Sequence, residues 1–265
     1  MAERAAADGV PVLRPERVGD PDCVEALRAL DADLGVVVAF GQFLPKQVRE
    51  LPRLGHLVNG HASILPRHRG AAPIAHAILA GDSESGVSVM RVEREMDAGP
   101  VCLVKKTPIG PDETAGELEE RLAGVAADAI AEALPDVAAG RAQWREQDHA
   151  LATLAPKLEV EDGRLDFRRS ADELARTVRG LTPRPGTFFE LDGARLRILR
   201  ATARDEVADD PPGTVRLGGD TLGVATGAGW LVPLVLQKSG GRPTPTDAFL
   251  RGRPIPDGTR LATPE

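Results

Sequence analysis

Aromatic and cysteine side chains are scarce in this chain. Aromatic residues make up 3% of the 265 residues, and tyrosine does not occur. The two cysteines, Cys23 and Cys102, lie far apart in sequence without a metal-like spacing, which argues against a disulfide scaffold and a zinc site and favours a reducing compartment. No secretory leader is apparent and no apolar run is long enough to cross a bilayer, so we expect a soluble, cytoplasmic protein.

Aliphatic residues are plentiful by contrast. With 42% hydrophobic residues, the chain can bury a core of Leu, Val, Ala and Ile in one large domain or two ordinary ones. The net charge of −7 is uneven, because residues 164–265 hold 16 basic and 13 acidic side chains while residues 1–163 hold 17 and 27. The basic second half suggests a polyanionic partner, although an ordinary solvated surface is the simpler explanation of charge alone.

Strands alternate with helices in the first part of the sequence, which predicts an α/β fold with a parallel sheet. The run Leu34–Phe40 is continuously apolar, as expected for a strand buried on both faces. The other predicted strands are Val10–Leu13, a segment that ends at Asn59, Gly86–Val92 and its hairpin partner Val101–Lys106. The predicted helices are Pro21–Leu30, Pro45–Leu51, Ala72–Ala80 and Thr114–Ala139. Ligands are expected at the loops that follow the strands.

The second part reads as a small β-rich domain, predicted to be a barrel. One helix, Asp172–Gly180, precedes short alternating runs at Thr187–Leu191, Ala194–Ala201, Gly213–Leu217, Thr221–Thr226 and Trp230–Leu236. We therefore predict a catalytic domain at residues 1–146, a polar linker at 147–163 and a C-terminal domain at 164–265.

Residues 59–70 carry the strongest chemical signal. Asn59 and His61 are two apart at the end of a strand, so their side chains share a face. An amide that donates to a developing oxyanion beside an imidazole that moves a proton suits chemistry on a carbonyl carbon. Asp97, between two predicted strands, could support the imidazole. Taken singly, these are a turn residue, a structural histidine and a hairpin-turn residue, and the single-residue interpretation stays open for each.

Several segments, in order, resemble one enzyme family. They are Ala39–Pro45, Asn59–Ile74 with its SILPRHRGAAPI stretch, Gly86–Met90 and Met96–Gly99, and then Asp166–Phe167, Pro183–Gly186, Gly223–Gly227 and Leu236–Gln237. The chain is similar to the formyltransferases that use 10-formyltetrahydrofolate, and in particular to those that act on methionyl-tRNA. The resemblance covers nearly the whole chain. It implies a Rossmann-like formyltransferase domain with a parallel-sheet core, followed by a small OB-like β-barrel.

The resemblance implies roles for individual residues. Asn59 would hold the tetrahedral oxyanion, protonated His61 would add a second donor, and Asp97 would support that charge and help move a proton. The implied folate-binding residues are Phe40, Gly41, Gln42, Phe43, Leu44, Pro45, Ser63, Leu65 and Pro66, with Ser63 also shaping the loop. The implied contacts to the acceptor and its tRNA are Arg67, Arg69, Arg195, Arg197, Lys238 and Arg242. The expected partners are 10-formyltetrahydrofolate and initiator methionyl-tRNA, with no metal, and the expected state is a monomer.

The family opens with a βαβ unit and a basic loop before the segment that corresponds to Met1–Leu13. We therefore expect this chain to begin after that unit and to lack one wall of the folate pocket. Three alternatives stay open at this point: formylation of a nucleotide-linked amino sugar, hydrolysis of the folate to release formate, and tRNA binding without catalysis. The RGAAPI continuation after Arg67 and His68 and the basic second half favour tRNA.

Overall fold

A four-stranded sheet organises the first part of the chain in the computed structural model, which describes residues 2–219 and 221–264. Its strands, in spatial order, are β1 (Gly35–Val37), β2 (Leu57–His61), β3 (Glu84–Arg91) and β4 (Val101–Pro108). The helices of this part are α1 (Ala2–Ala7), α2 (Pro21–Arg28), α3 (Lys46–Arg49), α4 (Pro73–Ala80) and α5 (Ala115–Ala138). β1 pairs parallel with β2, and β2 pairs antiparallel with β3. The predicted parallel core is therefore the β1–β2 pair in the described chain.

The helix boundaries follow from local chemistry. In α2, Pro21 occupies the first turn, where its missing N–H costs nothing. α4 ends at Gly81, which takes the left-handed conformation at φ 75° that a helix C-cap favours. At the start of α5, Thr114 Oγ1 accepts from the Glu117 N–H at 3.3 Å, and the Glu117 carboxylate accepts from the Thr114 N–H at 2.9 Å. This reciprocal pair is a capping box, which fixes where α5 begins.

Two strand predictions for the N-terminal part are wrong in extent or kind. The run Leu34–Phe40 forms only the three-residue β1, and its valines are not buried on both faces, since Val36 is 44% and Val38 38% exposed. The reason is that β1 lies at the end of the described sheet and has a partner, β2, on one edge alone. Val10–Leu13 is not a strand in the structure. Its apolar side chains are exposed, and Pro11 has no N–H to give to a ladder.

The second part forms an antiparallel sheet of six strands. They are β5 (Thr187–Leu191), β6 (Ala194–Arg204), β7 (Val215–Gly218), β8 (Thr221–Ala225), β9 (Trp230–Lys238) and β10 (Thr244–Pro245), with helices α6 (Ala171–Leu181) and α7 (Thr246–Gly252). The order β5–β6–β9–β8–β7, with β10 on β9, leaves an open path, so the predicted barrel is a curled half-barrel. Register shifts around Arg200 in β6 increase the local bend of the sheet.

Apolar burial holds the half-barrel together. Its core includes Phe167, Leu174, Phe189 and Ile198, each at most 1% exposed. Full burial of one such side chain contributes roughly 1.5–3 kcal/mol. Phe189 and Ile198 lie on β5 and β6, and Leu174 lies on α6, so the helix packs against the sheet through this core.

The chain divides into two units, each made of three segments that alternate along the sequence. The first contains the chain up to Arg69, Val87–Lys105 and Val125–Thr153, and the second contains Gly70–Gly86, Lys106–Gly124 and the chain from Leu154 onward. The domain limits proposed from the sequence, at residues 146 and 164, stay predictions.

A half-buried histidine, His56, stands out in the first unit. The rings of His56 and Trp144 meet edge to face at 5.7 Å, and the Arg91 guanidinium lies 4.4 Å from the Trp144 ring centre. Burial lowers the pKa of His56, and the nearby charge of Arg91 lowers it further, while a bond to the Leu54 carbonyl oxygen acts in the opposite sense. His56 is therefore a group whose protonation opposes folding.

Replacing Ser170 by Ala tests the cap of α6. The Ser170 hydroxyl accepts from the Glu173 N–H at 3.3 Å, and the Glu173 carboxylate accepts from the Ser170 N–H at 3.1 Å. We expect Ser170→Ala to lower the free energy of unfolding by about 1 kcal/mol, measured by urea denaturation. Ser239→Ala, in an exposed turn, is the matched control. Equal effects of the two substitutions would contradict the capping role.

His56 predicts a pH dependence of stability. Because its folded pKa lies below the ordinary value of 6.5, the unfolded chain binds the proton first as the pH falls through that value. The contribution of neutral His56 to stability is therefore present above 6.5 and is lost toward the lowered folded pKa. As the pH falls from about 8 to about 5, we expect the unfolding free energy of His56→Phe to rise relative to that of the parent, as measured by chemical denaturation. A difference in unfolding free energy that is constant with pH would contradict this.

Candidate active site

Strand β2 presents Asn59 and His61 on one face. They are paired with Met90 and Ser88 of β3, so both belong to the sheet rather than to a mobile loop. Gly60 between them points to the other face, where a Cβ would lie 2.8 Å from Cδ1 of Ile130 in α5. The helix thus packs closely against the back of the strand because residue 60 has no side chain. The predicted shared face for Asn59 and His61 is confirmed.

His61 lies between two acceptors. Its Nε2 is 2.9 Å from the His68 carbonyl oxygen, and its Nδ1 is 3.6 Å from Oδ2 of Asp97. A carbonyl oxygen can only accept, so Nε2 carries a hydrogen and donates it. The remaining nitrogen, Nδ1, faces the carboxylate at a distance slightly beyond a direct hydrogen bond. His61 is 6% exposed and the Asp97 side chain 15% exposed, so this pair is largely shielded from water.

The loop that carries Asp97 joins β3 to β4 and is tightly folded. Asp97 itself has φ 52°, in the left-handed region that Asp tolerates better than most residues. A Cβ at Gly99 would lie 2.2 Å from the Arg91 carbonyl oxygen, so only glycine fits there. The sequence Met96–Gly99 therefore forms the turn that hairpin chemistry predicts, and that turn also brings the carboxylate to His61.

The segment after His61 folds back on itself. The Ser63 hydroxyl donates to the Arg67 carbonyl oxygen at 2.6 Å, and Ser63 is 1% exposed. The Ser88 hydroxyl donates to the Ser63 carbonyl oxygen at 2.7 Å and accepts from the Leu65 N–H at 3.1 Å. Ser63 and Leu65 thus shape the loop from inside, and Pro66 accepts from the Thr153 N–H at 3.4 Å. Ser88 was not predicted to belong to the site, because a buried serine on a strand leaves no distinctive pattern in the sequence.

Arg69 is buried at 5% exposure, unlike the exposed Arg67. Its Nε and Nη2 donate to Oε1 of Gln147 at 3.1 and 2.8 Å, and its Nη1 lies 3.2 Å from Nδ1 of His149. Gln147, also buried, donates from Nε2 to the carbonyl oxygens of Asp97 and Gly99 at 2.9 and 2.7 Å. Gln147 falls in the predicted linker, since a single glutamine between charged residues carries no periodic signal.

The segment Phe40–Pro45 follows β1 as an exposed loop. Phe40 is 43% and Phe43 69% exposed, and Gly41 has φ 73°. The Gln42 side chain accepts from the Val18 N–H at 2.9 Å, and Leu44 packs on a small apolar cluster around Val18. The loop is therefore anchored at two points and presents its aromatic side chains outward.

Four of the basic residues predicted to contact tRNA lie in the second unit. Arg195 pairs with Glu161 at 2.8 Å and lies over the Phe188 ring, while Arg197 donates to the Pro183 carbonyl oxygen at 2.8 Å. Lys238 lies 5.4 Å from the Phe249 ring centre, and Arg242 is exposed in the loop before β10. Arg195 and Arg197 share a face of β6, as the sequence predicts for a strand.

In residues 2–219 and 221–264, no cluster of three or more His, Cys, Asp or Glu side chains is arranged to hold a metal ion. Burial raises the pKa of the Cys102 thiol, which disfavours the reactive thiolate.

Within the same described ranges, the helices are too short or too polar to cross a membrane.

Comparisons with known proteins show the family to which this chain is similar. The Formyl transferase family matches residues 2–134, and the Formyl transferase, C-terminal domain, family matches residues 157–254. The methionyl-tRNA formyltransferase of Phenylobacterium zucineum is 44% identical over 260 residues, which cover 97% of this chain and 83% of the relative.

Two solved structures share the fold. The methionyl-tRNA formyltransferase from Clostridium thermocellum has a TM-score of 0.59 at 16% identity and covers 77% of this chain and 88% of its own. The sugar 3N-formyltransferase WlaRD was solved in the presence of dTDP and 5-N-formyl-THF. It has a TM-score of 0.66 at 14% identity, and the match covers 87% of this chain and 79% of WlaRD. The matched family models, the relative that aligns with 97% of this chain and the shared fold lead to one conclusion. The chain belongs to the formyl transferase family, among the methionyl-tRNA formyltransferases.

Proposed function

We propose that this chain transfers the formyl group of 10-formyltetrahydrofolate to the amino group of initiator methionyl-tRNA. The observation that carries the proposal is the placement of Asn59 and His61 on one face of β2 with Asp97 beside the imidazole. The name of the 44% identical relative supports methionyl-tRNA as the acceptor.

The three side chains suit an acyl transfer by direct attack of an amine. As the amine adds to the formyl carbon, negative charge gathers on the formyl oxygen, and the Asn59 amide can donate to it. Removing one such donor typically costs about 2.7–4 kcal/mol of activation free energy. The side chain of Asn59 is partly exposed beside the buried His61, so the amide is available to a ligand.

The imidazole has one nitrogen available for this chemistry. Nε2 already donates to the His68 carbonyl oxygen, so Nδ1 is the nitrogen that serves the reaction. The 3.6 Å gap between Nδ1 and the Asp97 carboxylate suits a bridging water or substrate atom. In the proposed reaction a protonated Nδ1 donates to the formyl oxygen, and Asp97 accepts the proton that the attacking amine must lose, directly or through water. The tetrahedral intermediate then collapses as the bond from the formyl carbon to N10 breaks, and N10 of tetrahydrofolate leaves with the proton that Asp97 returns to it.

The folate is proposed to lie against the Phe40–Pro45 loop. The exposed rings of Phe40 and Phe43 offer flat apolar surfaces to a pterin, which is itself flat and aromatic. Leu65 and Pro66 lie in the loop that follows His61, and they would contact the end of the folate that carries the formyl group. The buried Ser63 hydroxyl, bonded to the Arg67 carbonyl oxygen, contributes by holding that loop.

The tRNA is proposed to contact the basic residues of both units. Arg67 is exposed close to His61 in sequence and suits the acceptor end, whereas Arg69 serves the loop through its buried bonds. Arg195, Arg197, Lys238 and Arg242 would meet backbone phosphates, although Arg195 must first leave Glu161. The proposed working state is a cytoplasmic monomer.

Purified chain, mixed with 10-formyltetrahydrofolate and methionyl-tRNA, is expected to yield formylmethionyl-tRNA. A nucleotide-linked amino sugar offered instead is expected to give no product, which separates the proposal from its enzymatic alternative. Formate release without an acceptor would indicate hydrolysis. Salt-dependent tRNA binding without any transfer would indicate a binding protein, since phosphate contacts weaken as salt rises.

Asn59→Ala is expected to lower kcat by about 10²–10³-fold, because the oxyanion loses a donor. Asp97→Asn is expected to lower kcat as well, since the amide cannot accept the proton from the amine. Glu93→Gln, an exposed substitution in the same loop, is the matched control for Asp97. Steady-state rates with both substrates varied give the measurement, and an Asn59→Ala variant with unaltered kcat would refute the assigned role.

A further inference from the structure

Arg69 and Gln147 join the two chain segments that flank the His61 ring. His68 supplies the carbonyl oxygen that receives Nε2, and the next residue is Arg69. Arg69 donates to Gln147, and Gln147 donates to the backbone of the loop that carries Asp97. Hydrogen bonds and the backbone between His68 and Arg69 therefore link the two segments that lie on either side of the imidazole.

The orientation of the Gln147 amide is fixed by its partners. A guanidinium has donors only, so the atom that faces Arg69 must be the amide oxygen. The amide nitrogen then points to the carbonyl oxygens of Asp97 and Gly99, at 2.9 and 2.7 Å. Both hydrogens of that nitrogen have acceptors. Arg69 is 5% and Gln147 7% exposed, so water competes little for these bonds.

The loop needs such a restraint. Asp97 has φ 52°, a conformation that is costly for a residue with a side chain and persists where its surroundings hold it. Gln147 bonds the carbonyl oxygen of this same residue. The segment on the other side of the imidazole is also held, because the His68 and Arg69 N–H groups donate to Oγ1 and O of Thr153, each at 2.9 Å.

We propose that Arg69 and Gln147 are positioning residues, a bracket that sets the separation of the Asp97 carboxylate from Nδ1 of His61. The bracket touches neither substrate in this assignment and acts on the reaction through His61 and Asp97. The inference deepens the proposed function and rests on it for the identity of the reaction. It assigns Arg69 a role different from the substrate contact that sequence resemblance implies.

Two substitutions of Gln147 test whether this residue positions the Asp97 loop or only accepts hydrogen bonds from the Arg69 guanidinium. Gln147→Leu removes all the bonds, and Gln147→Glu keeps an acceptor for Arg69 but cannot donate to the loop. The bracket predicts that both variants lose kcat by about 10²-fold, with little change in either KM. If Gln147 only accommodates the Arg69 charge, Gln147→Glu keeps the parent kcat and overturns the proposal. Gln143→Leu, an exposed change in the same stretch, is the control.

A second measurement does not depend on the reaction. The ring ¹⁵N resonances of His61, assigned by their loss in His61→Gln, can be followed through a pH titration of the full chain. Both Gln147 variants are expected to shift the His61 titration midpoint, while Gln143→Leu leaves it unchanged. An unchanged midpoint in folded Gln147→Leu overturns the bracket. An inactive parent chain whose His61 midpoint still shifts in the Gln147 variants would reject the proposed function and retain the bracket.

Discussion

The burial of His61 between a carbonyl oxygen and a carboxylate is the interaction on which the site depends. A ring that is 6% exposed meets little bulk solvent, so the fold places an acceptor near each nitrogen. Those partners come from two different loops, one after β2 and one after β3. Both loops turn sharply, and each meets this demand with residues at positive φ, His68 and Gly70 in one and Asp97 in the other. The strand positions the imidazole, and the turns bring acceptors to it.

Much of this fold could be predicted from periodicity and turn chemistry. Strand β5 coincides with the predicted Thr187–Leu191, and the shared face of Asn59 and His61 follows from the two-residue repeat of a strand. Burial could not be predicted in the same way. The valines of β1 are exposed because of where the strand lies in the sheet, and a residue's own sequence neighbours carry no information about the strand beside it.

Site residues could be predicted where the residue type allows few roles, and could not be predicted where the residue type allows many. Asn, His and Asp in a formyl-transfer pattern indicate their roles, but an arginine has the same charge whether it meets a phosphate or a carbonyl oxygen. Arg69 and Arg197 both donate to groups within the protein, which only the folded chain reveals. Gln147 gave no signal, because its role depends on contacts with residues that are distant in sequence. Arg69 is 78 residues away from it and Asp97 is 50 residues away.

The identity of residue 147 follows from the groups it must connect. Arg69 offers donors alone, and the loop carbonyls of Asp97 and Gly99 offer acceptors alone. A linking side chain must therefore accept at one position and donate twice at another, a requirement that a carboxylate or an ammonium fails. Only the carboxamides meet it, and asparagine is one methylene shorter. A neutral amide also avoids burying a second charge beside Arg69, whose Nη1 lies 3.8 Å from a carboxylate oxygen of the exposed Glu95. The chemistry of its neighbours thus selects glutamine.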